Sequence, residues 1–171
     1  ENGRRYRGCC KAQTAAERSM WKVLIADDEP KIRQGLKSVL EEMKLPITVC
    51  AEARNGMEAL EKIEQFQPDF ILMDICMPKL SGIQFLEELR KLDKNCPVIV
   101  ISGFNEFSYA KQAIKLGVSE YLLKPIAEEE LQAAVVKVTE EIKQKRKSEK
   151  FMELVKQQMI QHQDYLRDVF F

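Results

Sequence analysis

The run Phe70-Ile71-Leu72-Met73-Asp74 constrains the fold of this chain more than any other stretch. Four apolar residues and an acid follow Pro68-Asp69, and Met77-Pro78 comes shortly after, which is the length and punctuation of a strand. The run does not alternate, so both faces of the strand are covered, as in parallel sheets with helices above and below. An acid at the end of such a strand stands at the carboxyl edge of the sheet, where open α/β folds bind ligands. Taken alone, Asp74 is an ordinary turn-capping residue. Its meaning depends on what else reaches that edge.

Four more apolar runs alternate with helical periodicity. Trp21–Ala26 stops at Asp27-Asp28-Glu29-Pro30. Ile32, Leu36, Val39, Leu40 and Met43 then predict an amphipathic helix over about 31–44, with Pro30 suited to its first turn. Ile47–Ala53 is a second strand, Asn55-Gly56 a turn, and Met57, Leu60, Ile63 and Phe66 mark a second helix. After the Asp74 strand, 78–82 form a loop and Ile83, Leu86 and Leu89 mark a third helix. Residues 97–101 make a fourth strand ending in Ser102-Gly103. Phe107, Ala110, Ile114 and Leu116 mark a fourth helix, closed by Gly117 as a C-cap. Residues 118–123 make a fifth strand ending in Lys124-Pro125. Strands alternating with helices through short loops predict an α/β fold, a doubly wound five-stranded parallel sheet with helices on both faces.

From about residue 127 the pattern is helical with few interruptions. Leu131, Val135, Val138 and Ile142 suit packing on the sheet, whereas 143–150 is almost wholly polar. Met152, Val155, Met159, His162, Leu166 and Val169 then recur at spacings of three and four, the repeat a two-helix seam needs. The polar stretch around Lys145 and Glu149 predicts two segments rather than one long coil. His162, a lone histidine in that seam, reads as a packing residue.

Charge divides the chain unevenly. Lys+Arg and Asp+Glu are 27 each, yet residues 1–19 carry a net +3 and the remainder −3. Residues 1–19 have neither periodicity nor the apolar core of a signal peptide, so they read as a disordered leader or a non-native segment. Five irregularly spaced cysteines and one histidine argue against a disulfide framework and a zinc site, and for a reducing cytoplasm. No stretch approaches the roughly 18 to 20 apolar residues of a membrane span. The domain reading is 20–142 as the folded unit and 143–171 as a helical linker with the spacing of a coiled coil.

The strand ends carry the chemistry. Asp27 and Asp28 end the first strand, Asp74 the third, Ser102 the fourth and Lys124 the fifth. In a parallel sheet these ends share one edge, where three carboxylates repel unless something neutralises them. Mg²⁺ takes oxygen ligands, commonly one or two carboxylates plus a phosphoryl oxygen. A lysine and a hydroxyl supply donors for that phosphoryl, and Asp74 is placed to accept it as a nucleophile. Each residue has an ordinary explanation as a cap or turn. Their joint placement, at the ends of four of the five strands, does not.

Asp27-Asp28, Leu72-Met73-Asp74 with Met77-Pro78 and Ser81-Gly82, Ser102-Gly103, and Tyr121-Leu122-Leu123-Lys124-Pro125 together resemble the receiver domain of two-component response regulators, over about residues 21–140. The resemblance implies strand order 2-1-3-4-5 and phosphorylation of Asp74 by a histidine kinase. It implies Mg²⁺ bound by Asp28 and Asp74, by Asp27 through water and by the backbone carbonyl of Cys76. Lys124 would contact the phosphoryl group, with the Lys124-Pro125 bond cis, and Ser102 and Tyr121 would switch on phosphorylation. The stretches 102–110 and 117–125 resemble the subgroup whose regulators end in an AraC-type DNA-binding domain. About 30 residues follow position 140, too few and too weakly basic for that domain, so this stretch is not expected to bind DNA or a membrane. A homodimer through the C-terminal helix is the further partner expected. The alternative is a phosphate-handling hydrolase using Asp74 as nucleophile. Such enzymes add a substrate cap and a second acid placed for proton transfer, and neither is found.

Overall fold

A computed structural model of the chain describes residues 20–92, 95–103 and 107–170, with the backbone alone for Phe107 and 161–170. The expected leader over 1–19 and the side chains of His162, Leu166 and Val169 lie outside the described residues.

Five strands form one parallel sheet: β1 (Trp21–Ala26), β2 (Ile47–Ala53), β3 (Phe70–Asp74), β4 (Val98–Ser102) and β5 (Glu120–Leu123). Their order is β2-β1-β3-β4-β5. The helices are α1 (Pro30–Glu42), α2 (Gly56–Phe66), α3 (Gly82–Lys91), α4 (Phe107–Lys115) and α5 (Glu128–Phe170). Every residue of β3 and β4 is buried, as their unbroken apolar runs require.

Strand pleating divides the core in two. Leu24, Ile71, Met73 and Val100 meet Ile63, Phe85 and Leu89 on one face. Val23, Ile25, Leu72, Ile99 and Ile101 meet Leu36, Leu40, Val135 and Val138 on the other. Burial of each large side chain contributes about 1.5–3 kcal/mol. The central strands β1, β3 and β4 therefore hold their carboxyl ends rigidly.

Two helix faces differ from the sequence expectation. Met57 and Phe66 are 50% and 37% exposed, and α2 packs through Gly56, Ala59 and Ile63 instead. Nine residues are about two and a half turns, so Met57 and Phe66 project from opposite sides of the helix. In α4, Ile114 is 67% exposed while Ala113 is fully buried in the core.

The expected division of the C-terminal helix is corrected: α5 runs unbroken over 43 residues, about 65 Å. Residues 143–150 lack Gly and Pro and consist mostly of good helix formers, so loss of the apolar stripe does not interrupt the backbone. Its first half buries Leu131, Val135, Val138 and Ile142. Arg146 ties its middle to the body of the domain, stacking over Trp21 at 5.1 Å and pairing with Asp69. Beyond it, Phe151, Met152, Leu154, Met159 and Ile160 are exposed.

Candidate functional site

The β1–α1 loop is set by its own hydrogen bonds. Asp27 is 1% exposed; its N–H donates to the Ala53 carbonyl (3.1 Å) and its Oδ1 accepts from the Glu29 N–H (2.9 Å). That turn leads into Pro30 at the first position of α1, where the missing N–H costs no helical hydrogen bond. Asp28, next in the loop, is exposed.

Asp74 closes β3 and is 6% exposed. The loop behind it folds back tightly because Gly82 has no side chain. The Gly82 N–H donates to the Ile75 carbonyl (2.8 Å), and a Cβ there would lie 2.6 Å from the Asp74 carbonyl oxygen. Ser81 then starts α3 through a reciprocal capping box with Gln84.

Carboxylate oxygens of Asp27, Asp28 and Asp74 all lie within 4.8 Å of one another. Lys124, at the end of β5, donates from Nζ to Asp27 Oδ2 at 2.9 Å and stands 3.7 Å from Asp74 Oδ1. The cis Lys124-Pro125 bond is present. Ser102 is fully buried at the end of β4, one residue beyond the register partner of Asp74. Tyr121 pairs with Val100 on β4, and its hydroxyl is buried without a hydrogen-bond partner among the described residues. Cys76 is exposed in the loop two residues beyond Asp74.

The electrostatics follow from this crowding. Burial pushes the Asp74 carboxyl up to about 6 and Asp27 and Asp28 add to the effect, while Lys124 opposes it. Lys124 loses hydration through burial, yet its hydrogen bond to Asp27 and the charge of Asp74 hold its ammonium above the usual range.

Asp74 Oδ1 is buried and accepts no hydrogen bond among the described residues. A donor set of three carboxylates with an unsatisfied buried oxygen fits a hard divalent cation such as Mg²⁺. All the strand-end residues picked from sequence thus share this edge.

Sequence reasoning missed Arg33. It is 9% exposed on α1, its Nη1 donating to the Asp27 carbonyl (2.8 Å) and approaching that of Asp28 (3.4 Å), its Nε donating to Glu52 (3.2 Å). A signal exists, since Arg33 falls in line with Leu36 and Leu40 on the buried stripe of the helix.

A five-stranded doubly wound domain with an acid triad and a lysine at its carboxyl edge defines a receiver-type signalling module. The chain belongs to the response regulator receiver domain family, whose model it matches over residues 23–136. It is 38% identical over 124 residues to the uncharacterized transcriptional regulatory protein YesN of Bacillus subtilis, covering 72% of this chain and 34% of that one. To the transcriptional regulatory protein HptR of Staphylococcus aureus it is 39% identical over 113 residues, covering 66% and 44%. The chain thus spans less than half the length of these relatives. Among solved structures it is similar to the REC domain of AraT, a response regulator from Geobacillus stearothermophilus. That match has 42% identity and a TM-score of 0.67, covering 74% of this chain and 98% of that one. No helix among the described residues is long and apolar enough to cross a membrane.

Proposed function

We infer that this chain is the phospho-accepting module of a cytoplasmic transcription regulator, with Asp74 the residue phosphorylated by a sensor histidine kinase. The observation that carries this reading is Asp74 Oδ1, buried, without a hydrogen bond among the described residues, and flanked by two acids and a lysine. In the reaction a carboxylate oxygen of Asp74 bonds to phosphorus as the phosphorus–nitrogen bond of phosphohistidine breaks, its electron pair returning to the imidazole. Asp27, Asp28, Asp74 and the Cys76 carbonyl would hold Mg²⁺, which when bound neutralises charge on the transferring phosphoryl group.

Lys124 rests on Asp27 and is near enough to Asp74 to turn toward phosphoryl oxygens. Ser102 supplies a hydroxyl donor from the neighbouring strand end. The Tyr121 hydroxyl, buried and without a hydrogen-bond partner among the described residues, supports that ring as the second switch element. New charge-assisted contacts to the phosphoryl group favour the active arrangement. A swing from 1:99 to 99:1 requires about 5.5 kcal/mol, within reach of three or four such bonds.

The likeness to YesN and HptR, both transcriptional regulatory proteins, and to the REC domain of AraT supports an AraC-type DNA-binding output. In this reading residues 20–142 receive the signal. Residues 143–171 form a helical linker that pairs with a second copy along the Met152, Val155 and Met159 seam. DNA contact then belongs to the output domain.

The test is to incubate the protein with Mg²⁺ and a small phosphodonor and measure intact mass. A gain of one phosphoryl group that vanishes in Asp74→Asn supports the reading; no gain at any Mg²⁺ concentration overturns it.

A further inference from the structure

A guanidinium as deeply set as that of Arg33 needs partners for its donors, and its partners are informative. One nitrogen reaches two consecutive main-chain carbonyls of the β1–α1 loop, Asp27 at 2.8 Å and Asp28 at 3.4 Å. A second nitrogen is held from β2 by Glu52 at 3.2 Å. Asp27 has further ties, through its N–H to Ala53 and through its carboxylate to Glu29 and Lys124. Asp28 is exposed, so the position of its main chain decides where its carboxylate can reach.

The geometry points to Arg33 as a positioning residue for the divalent cation. By gripping the carbonyls of Asp27 and Asp28 it keeps the Asp28 carboxylate converged on those of Asp27 and Asp74, and Glu52 orients the guanidinium. This rests on reading the three acids as the cation site. Charge alone acts in the opposite direction: removing a cation beside three carboxylates draws a divalent ion in more tightly. Weaker binding without Arg33 therefore reports position and not charge.

Mn²⁺, which takes the same hard oxygen ligands, serves as the probe, its free concentration counted by electron paramagnetic resonance. Arg33→Ala raises the Mn²⁺ Kd about ten-fold, the lower end of what loss of an outer-shell partner causes. Arg33→Lys falls between, because an ammonium cannot span both carbonyls and Glu52. Glu52→Gln gives a smaller rise alone and none on top of Arg33→Ala, as expected of residues acting in series. Urea midpoints check folding, and the Arg33→Lys and Glu52→Gln variants carry the test if Arg33→Ala does not fold. Wild-type or tighter affinity across the folded variants at positions 33 and 52 overturns the positioning role while the site reading stands. Absent binding in the wild-type protein, or unchanged binding in Asp28→Asn, overturns the site reading itself.

Discussion

Asp74→Asn should stabilise the metal-free protein at neutral pH, although it removes a polar contact. A carboxyl whose titration midpoint moves from 3.8 to about 6 on folding carries about 3 kcal/mol of unfavourable folded-state charge above pH 7. The sources are burial and the adjacent Asp27 and Asp28 carboxylates, which outweigh the attraction of Lys124. Asparagine removes the charge and keeps one acceptor oxygen, but it brings an amide donor that needs a partner. The expected gain is therefore about 1–3 kcal/mol. The pH dependence has a definite sign. Between about pH 4 and 6 the folded carboxyl holds its proton and the unfolded one does not, so wild-type stability falls as pH rises through that window. Asparagine does not titrate, so its advantage is small near pH 4 and complete by pH 7. Urea unfolding in EDTA at several pH values, followed by circular dichroism, measures it. An Asp74→Asn variant no more stable than wild type at pH 7.5, or a gain independent of pH, refutes the reasoning.

Other perturbations test neighbouring links. Lys124→Ala leaves the carboxylate of Asp27 buried and poorly compensated, so metal-free stability falls by about 2–4 kcal/mol, and Mg²⁺ recovers part of the loss in a thermal-shift assay. Gly82→Ala forces a methyl group against the Asp74 carbonyl; it should cost about 1–3 kcal/mol and slow phosphorylation measured by intact mass. Arg146→Ala removes the cation over the sole tryptophan, shifting Trp21 emission and lowering stability by about 0.5–1 kcal/mol. Truncation after Lys147 removes the part of α5 that carries the exposed Phe151, Met152, Leu154, Met159 and Ile160 and should weaken self-association; identical sedimentation of the long and short forms counts against the seam.

What can be read from sequence follows from how each feature is encoded. β3 and β4 are legible because burial on both faces leaves an unbroken apolar run, and their polar endings follow directly. The site acids are legible for the same reason, Asp27 and Asp74 being the first polar residues after such runs and Asp28 following Asp27 directly. Helix faces are harder. A three-residue spacing such as Met57, Leu60, Ile63 and Phe66 drifts around the helix, and small residues such as Ala59 and Ala113 carry packing that a search for large apolar side chains overlooks. The continuity of α5 is hidden because a polar stretch resembles a break, although good helix formers without Gly or Pro continue the backbone. Arg33 is hidden because a charged residue on a helix is ordinarily solvated, and only three-dimensional contact shows which carbonyls it holds.

Rigid strands and charged side chains act in opposite directions at the carboxyl edge. Strands β1 and β3 bring Asp27 and Asp74 together where water is scarce, which raises the free energy of the unoccupied site. Lys124 offsets part of that cost but bonds to Asp27 at 2.9 Å and not to Asp74, whose Oδ1 keeps no hydrogen bond among the described residues. An acidic pocket held in this state gains most from a cation or a phosphoryl group with its own counter-charges. The burial that destabilises the ionised Asp74 carboxylate is therefore also what favours the occupied state. That predicts a coupling a flexible acidic loop would lack: substitutions that loosen the edge, such as Gly82→Ala, should weaken Mn²⁺ binding and reduce the stabilisation gained from Asp74→Asn together. If Gly82→Ala changes one and leaves the other intact, the two effects do not share the rigid edge as their cause.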